Sequence, residues 1–400
     1  MLYKNIVLQT EFPLEYSEYE MNTPFVLEYS KMFTHLNLSD IQRYPYGVGQ
    51  KGYDNHSMVK AYIVYALEGY RSIPQLIREL KSKPYFSKYV LGFANGIPHN
   101  TKFYRFIDKF DQEIIRKLMA QINKKVYKDG LPDSVAIDSK PIKANTKENN
   151  PKAFKKNLSD KKDKPRRNEE ATLGYFSKSN DKNTNRETVH FYWGYRIHII
   201  VDPKMDNPLT FKLTENNKTD SDVAITLYCK LAEYYPSLYQ SEISQYADKG
   251  YYTKKVFNAF HLLFNGSSYI PVNKRNTNNN GNDIPLCTMG HKMQYHSSWH
   301  EEKQDRFRVK FICPEPNEDC EKHRNNKACY KYLQTREPYP GEVQQLSANF
   351  KKQYPLRQSV ERVNAFIQNL GMESPRCYTK RAIENIVGFA LLGKILKLFL

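Results

Sequence analysis

Between residues 134 and 264, strand-like and helix-like patterns follow one another in an order that leaves few folds open. SVAIDSKPIKA (134–144) alternates like a strand. HFYWGYRIHIIVD (190–202) and PLTFKLTEN (208–216) read as two more strands, joined by the turn DPKMDN. SDVAITLYCKLAEYY (221–235) has helical spacing, ISQYADKGY begins as a further strand, and TKKVFNAFHLLF (253–264) is again helical. Three strands, a helix, a strand and a helix specify an α/β fold rather than a bundle or a sandwich.

The flanks differ from this centre. Residues 1–130 read as mostly helical: MVKAYIVYALEGY and SIPQLIRELKSKPYFSKYVLGF space apolar residues by three and four, and GIPHNTKFYRFIDKF leads into a long amphipathic helix. Short helices joined by Gly- or Pro-bearing turns suit a helix-turn-helix-like DNA module, and a plain helical scaffold suits the same pattern. Residues 145–187 are polar, rich in Lys, Asn and Asp, and without periodicity, so they are expected to form a flexible basic insertion. Residues 265–350 combine NKRNTNNNGND, short strand-like pieces such as DRFRVKFIC, and a Cys/His cluster, and are expected to form a small inserted β-rich subdomain. From 351 the pattern is helical to the end. The expected organisation is a helical N-terminal domain (1–130), an α/β catalytic domain (131–264 and 351–400) and the insert (265–350), with no internal repeat.

The chain of 400 residues carries 61 Lys and Arg against 43 Asp and Glu, a net charge of +18. That excess predicts attraction to polyanions, nucleic acid first. With 14% aromatic residues, 31 of them Tyr, it is not a disordered basic tail. The N-terminus lacks the long apolar region of a secretion signal. The longest apolar stretch, IVGFALLGKILKLFL (386–400), holds two Lys and falls short of the ~20 residues of a membrane span, so it is expected to be a core helix. Six Cys in this length do not make a disulfide scaffold, which points to a reducing, cytoplasmic compartment and no membrane.

Three carboxylates stand at informative places. Asp138 sits inside the first strand, in AIDSK. Asp248 closes a later strand, in QYADKGY. Glu361 sits in YPLRQSVERVNAF, a helical segment. Taken singly, each is readily explained as an acid solvated at the end of an element. An Asp within an apolar strand, however, is costly unless paired, and a divalent cation is one such partner. Two Asp on adjacent strands with one acid on a facing helix can hold two Mg2+ ions for in-line phosphoryl transfer. On the helix, Tyr354, Arg357, Glu361 and position 368 fall at offsets 0, 3, 7 and 14, one narrow face at ~100° per residue. Such a face can grip a phosphate beside a metal ligand, or Arg357 and Glu361 can simply form an i,i+4 pair.

These residues carry a resemblance. AIDSKPIKA with Asp138, ADKGYY with Asp248, and Tyr354, Arg357 and Glu361 at their spacing resemble the DDE transposases of bacterial insertion sequences, in the group with a Tyr-Arg-Glu-Lys signature. YWGYRIHIIVD, TENNKTDSD and IPHNTKFYRFIDKF resemble further segments of that family. The family's Lys falls at Gln368. The resemblance implies a ribonuclease H-like catalytic domain, with Asp138, Asp248 and Glu361 catalytic and holding two Mg2+ ions, for which Mn2+ could substitute. It implies DNA contacts from Tyr354, Arg357 and Lys140, cleavage at the element ends, and transfer of the exposed 3′-OH to target DNA. The implied partner is double-stranded DNA, bound by a homodimer in the bacterial nucleoid. The other reading, from a different class, is a catalytically inactive, zinc-stabilised DNA-binding protein derived from a transposase.

Residues 287–329 hold four of the six Cys and four of the ten His. Cys320, His323 and Cys329 have zinc-ligand spacing, with Cys313 as the fourth candidate and Cys287 as its competitor. There is no CxxC pair, and buried free thiols in a small β subdomain explain the cluster equally well. KAFKKNLSDKKDKPRRNEE (152–170) suits a loop tracking DNA phosphates, or a solvated loop.

Overall fold

The computed structural model describes residues 18–44, 52–128, 130–150, 165, 167–179, 187–273, 284–314, 320 and 329–400. His323 and most of the basic stretch 152–170 lie outside them. In chain order the helices begin with α1 (Pro24–Thr34), α2 (Asn55–Leu67), α3 (Ile73–Lys81), α4 (Asn100–Lys109) and α5 (Gln112–Val126). Strands β1 (Ser134–Lys143), β2 (Thr172–Ser179), β3 (Glu187–Asp202) and β4 (Asn207–Glu215) follow, then α6 (Asp220–Tyr234), β5 (Ser244–Ala247), α7 (Lys254–Phe264) and β6 (Ser268–Tyr269). The chain closes with β7 (Gln294–Glu301), β8 (Arg306–Ile312), β9 (Tyr330–Thr335), α8 (Ala348–Gln353), α9 (Gln358–Asn369) and α10 (Lys380–Leu396). The fold is mixed α/β, and it divides into two compact units: residues 1–131, 139–219 and 361–400 form one, 132–138 and 220–360 the other.

In the first unit the helices start where their caps dictate. Thr23 accepts from the Val26 N–H ahead of Pro24, Asp54 accepts from His56 N–H, and Ser72 accepts from Gln75 N–H. The apolar run at the C-terminus is the core helix expected: α10 is buried along almost its whole length and packs against α2, α4, α5 and β4. Among the described residues, no helix is long and apolar enough to cross a membrane. Two polar residues fasten α10 inside the core. Glu384 pairs with Arg116 of α5 and accepts from Leu213 N–H of β4, and Asn385 donates to the Ile107 and Phe110 carbonyls.

β3 pairs antiparallel with β2 through its first half and with β4 through its second. The β3–β4 hairpin is the one expected at DPKMDN, with Asp206 in the left-handed region at φ 51°. β2 corrects the expectation of unstructured chain over 145–187. TLGYFSKS is a strand held by Asn216, which donates to the Thr172 and Gly194 carbonyls. Leu173, Tyr175 and Phe176 sit among Thr, Gly, Ser and Lys, so no sustained alternation announces it.

Gly194 in YWGYR packs its backbone directly against β1. A Cβ there would lie 2.1 Å from the Ile142 carbonyl oxygen, a backbone atom that cannot rotate away. Gly194→Ala should therefore cost about 1–3 kcal/mol, the usual range for overpacking, seen as a lower melting temperature with soluble expression retained. An unchanged melting temperature would show that the two strands can separate freely here.

In the second unit the first half of β1 runs parallel to β5, with Ile137 opposite Ala247, and β5 runs parallel to β6. α6 and α7 supply the chain lengths that parallel neighbours need. Residues 268–269, inside the stretch expected as an insert, thus belong to the main sheet. A two-residue strand carries too little pattern to be read. β7, β8 and β9 form a separate antiparallel sheet.

Candidate active site

Strand register brings the two aspartates together. Ile137 and Ala247 are partners in parallel strands, so Asp138 and Asp248 are the next residues on neighbours ~4.8 Å apart. Asp248 directly follows β5 and caps a short turn in which Tyr251 N–H donates to the Asp248 carbonyl. Tyr251 and Tyr252 are buried, and the Tyr252 hydroxyl donates to Glu342, which explains the two tyrosines of ADKGYY as anchors of this corner.

Tyr354 and Arg357 face the same spot. Residues Tyr354–Arg357 form a single 3₁₀ turn between α8 and α9, so the entry is not α-helical, as Pro355 suggests. In that geometry residues three apart eclipse, which aligns Tyr354 and Arg357 more closely than an α-helix would. The turn is fixed by Tyr354 stacking on Phe350 at 5.0 Å and by the Tyr246 hydroxyl of β5 donating to Gln353. Arg357 Nη1 lies 3.7 Å from Asp138 Oδ2. Burial pushes the Tyr354 phenol up. Arg357 pulls it down by charge and hydrogen bond, and the Asp248 and Asp138 carboxylates push it up again. One phenol thus feels Arg357 and both aspartates. Glu361 follows in the first turn of α9, four residues after Arg357.

Lys140 is placed differently from a free DNA contact. Its Nζ donates to the Asn364 carbonyl and to Gln368 Oε1 and lies 3.1 Å from Glu373, leaving the side chain 14% exposed. Gln368, the position where the resembling group has Lys, is therefore the acceptor for a lysine arriving from β1. No spacing in the sequence signals this link.

The carboxylate oxygens of Asp138, Asp248 and Glu361 are the hard donors that Mg2+ takes. Among the described residues, no three His, Cys, Asp or Glu side chains are grouped tightly enough to hold a metal ion. In the cysteine cluster, Cys287 and Cys313 pack in one small core with Cys329, and Cys320 is buried. Burial pushes the Cys287 thiol up, but hydrogen bonds from Met289, His291 and Cys313 outweigh it and leave it lowered. Cys287, the competitor, is thus the direct neighbour of Cys313.

Residues 129–392 match the family model described as "Transposase DDE domain", and residues 26–109 match "Transposase domain (DUF772)". No curated protein matches the chain. Among solved structures it is similar to a piggyBac transposase synaptic complex with hairpin DNA, at 10% identity and TM-score 0.38, covering 94% of this chain and 78% of that one. A Mos1 transposase paired-end complex with left transposon end is similar at 13% identity and TM-score 0.18, covering 57% and 62%.

Proposed function

The chain belongs to the transposase DDE domain family, and from that premise we propose that it cleaves DNA at the ends of an insertion sequence and joins them to target DNA. The observation that carries this reading is the convergence of Asp138, Asp248, Tyr354 and Arg357 on one corner, where the parallel pairing of β1 and β5 ends. On this reading the catalytic unit is ribonuclease H-like, and Asp138, Asp248 and Glu361 hold the Mg2+ ions. When bound, the metal activates a water or 3′-hydroxyl and stabilises the leaving oxygen. The chain's own groups supply position. Arg357 stands 3.7 Å from the Asp138 carboxylate and hydrogen-bonds Tyr354, which holds its guanidinium beside the acids where a phosphate would be gripped. Tyr354, its ring stacked on Phe350, adds a fixed hydroxyl beside it. Lys140 braces Gln368 and so orients α9. The spacing of Tyr354, Arg357 and Glu361 supports the Tyr-Arg-Glu-Lys group despite Gln368. A structural zinc in the cysteine cluster belongs to the same reading, held by Cys320, His323 and Cys329 with Cys313, or its neighbour Cys287 in its place, as the fourth ligand.

Duplex DNA has a second foothold in the helical part. Lys102, Arg105 and Lys109 share one exposed face of α4 and line a cavity of about 420 Å3 with Tyr53 and Phe106. Such a row fits phosphates rather than an apolar partner. Two ends must be handled together, which calls for a homodimer on DNA.

A joining assay tests the function: a duplex ending in the element's terminal repeat, a supercoiled plasmid target and Mg2+. Joined product is expected. Cleavage without joining would make the protein an endonuclease, and binding with neither would make it the inactive DNA-binding form. Arg357→Ala should weaken binding to that duplex and lower the salt slope by about one unit, as loss of one phosphate contact does. Arg357→Lys should restore the charge but not the bidentate geometry, so activity returns only in part. Unchanged affinity and slope would mean that Arg357 serves Asp138 alone.

A further inference from the structure

The β7–β8–β9 sheet has two unlike faces. Phe307, Val309 and Phe311 of β8 point to one side, where Val309 and Phe311 form a small core with Cys287 and Met293. On the other side, Trp299 pairs with Arg308, Tyr332 with Lys310 and Tyr330 with Ile312. The three rings form a row: Trp299 meets Tyr332 edge-on at 5.4 Å, and Tyr332 meets Tyr330 at 5.1 Å. They are 36%, 41% and 44% exposed, respectively. Arg308 lies 5.4 Å from the Tyr332 ring and Lys310 5.4 Å from the Tyr330 ring. Glu301 pairs with Arg306 and Arg308 on this face, leaving the cations in excess.

The solvated face of an antiparallel sheet is ordinarily polar. Here three large rings stand in water, interleaved with cations. Rings alone would suit an apolar partner, and cations alone any polyanion. Together, on one sheet face, they match a strand whose bases are unstacked and whose phosphates lie between them. A duplex offers the phosphates but no free base faces. We propose that this face is a stacking platform for single-stranded DNA, distinct from the carboxylate corner. The choice of DNA over RNA rests on the reading that the protein acts on DNA.

The chain has only two tryptophans, and Trp193 is buried while Trp299 is exposed, so intrinsic fluorescence reports on the platform. Titrating the full chain with an oligo(dT) of about 15 nucleotides, a length within the range such sites cover, should quench fluorescence saturably. The quenching should persist in Trp193→Phe and vanish in Trp299→Phe. The Tyr330→Ala/Tyr332→Ala variant should bind labelled oligo(dT) at least about 10-fold more weakly, as loss of stacked bases implies, with affinity for a blunt duplex of equal length unchanged. Absent quenching would overturn the platform, as would equal losses for single strand and duplex, or a preference for oligo(U). Asp138→Asn should quench normally, so failure of the platform and failure of the catalytic reading are separate results.

Discussion

Asp138→Asn, Asp248→Asn and Glu361→Gln should each abolish Mg2+-dependent cleavage, by about a thousandfold or more, since metal stabilisation of the transition state is worth several kcal/mol and each 1.36 kcal/mol is tenfold. The amide keeps the shape and removes the charge and the hard donor. Asp138 is 23% exposed and faces Arg357, so its replacement opens no cavity and the fold should persist. DNA affinity should hold or rise slightly, because an acid near phosphates has been neutralised. Chelation of the metal should arrest the wild type in the same way, with Mn2+ restoring it. A variant that still cleaves at a comparable rate would remove that acid from the catalytic set.

Glu384→Ala should be the most destabilising single truncation among these sites. Arg116 and Glu384 are 5% and 8% exposed, and their pairing joins α5 to α10 across 268 residues of sequence. Arg116 also donates to the Phe211 carbonyl, so it cannot swing out to water without breaking β4's attachment. Removing the carboxylate leaves the buried guanidinium with Glu113 as its remaining acidic partner, 3.0 Å away, so the cost should fall at the low end of the range for a broken buried pair, about 3 kcal/mol. At about 2–4 °C per kcal/mol for units of this size, the melting temperature should fall by roughly 10 °C. Glu384→Gln removes the same charge but keeps a carbonyl for Leu213 and Arg116, so it should recover only the hydrogen-bonding part of that cost. Equal losses for Ala and Gln would mean that charge, not hydrogen bonding, dominates. A fall of only a degree or two for Ala would show that water reaches the arginine.

Much of the fold was legible because the signals are local. The alternation in SVAIDSKPIKA, YWGYRIHIIVD and PLTFKLTEN marks β1, β3 and β4, and the apolar run ending the chain marks α10. Asp138 and Asp248 stood out because a charge within or just after an apolar strand demands a reason. β2 and β6 were hidden: one is a polar strand that depends on Asn216 and β3, the other only two residues long. The exposed rings of the small sheet also escaped notice, since which side of β7, β8 and β9 faces water is set by register.

By itself, the sequence determined the order of most strands and helices, the excess of positive charge, and the acids and arginine available for phosphoryl chemistry. Side-chain period, caps and charge are properties of neighbouring residues. Only the tertiary structure decided which of these meet. Arg357 comes to lie against Asp138, 219 residues earlier in the chain, and Lys140 engages Gln368 and Glu373. Those pairings follow from parallel register and helix packing, which depend on how distant segments fill one another's space. No local pattern records that.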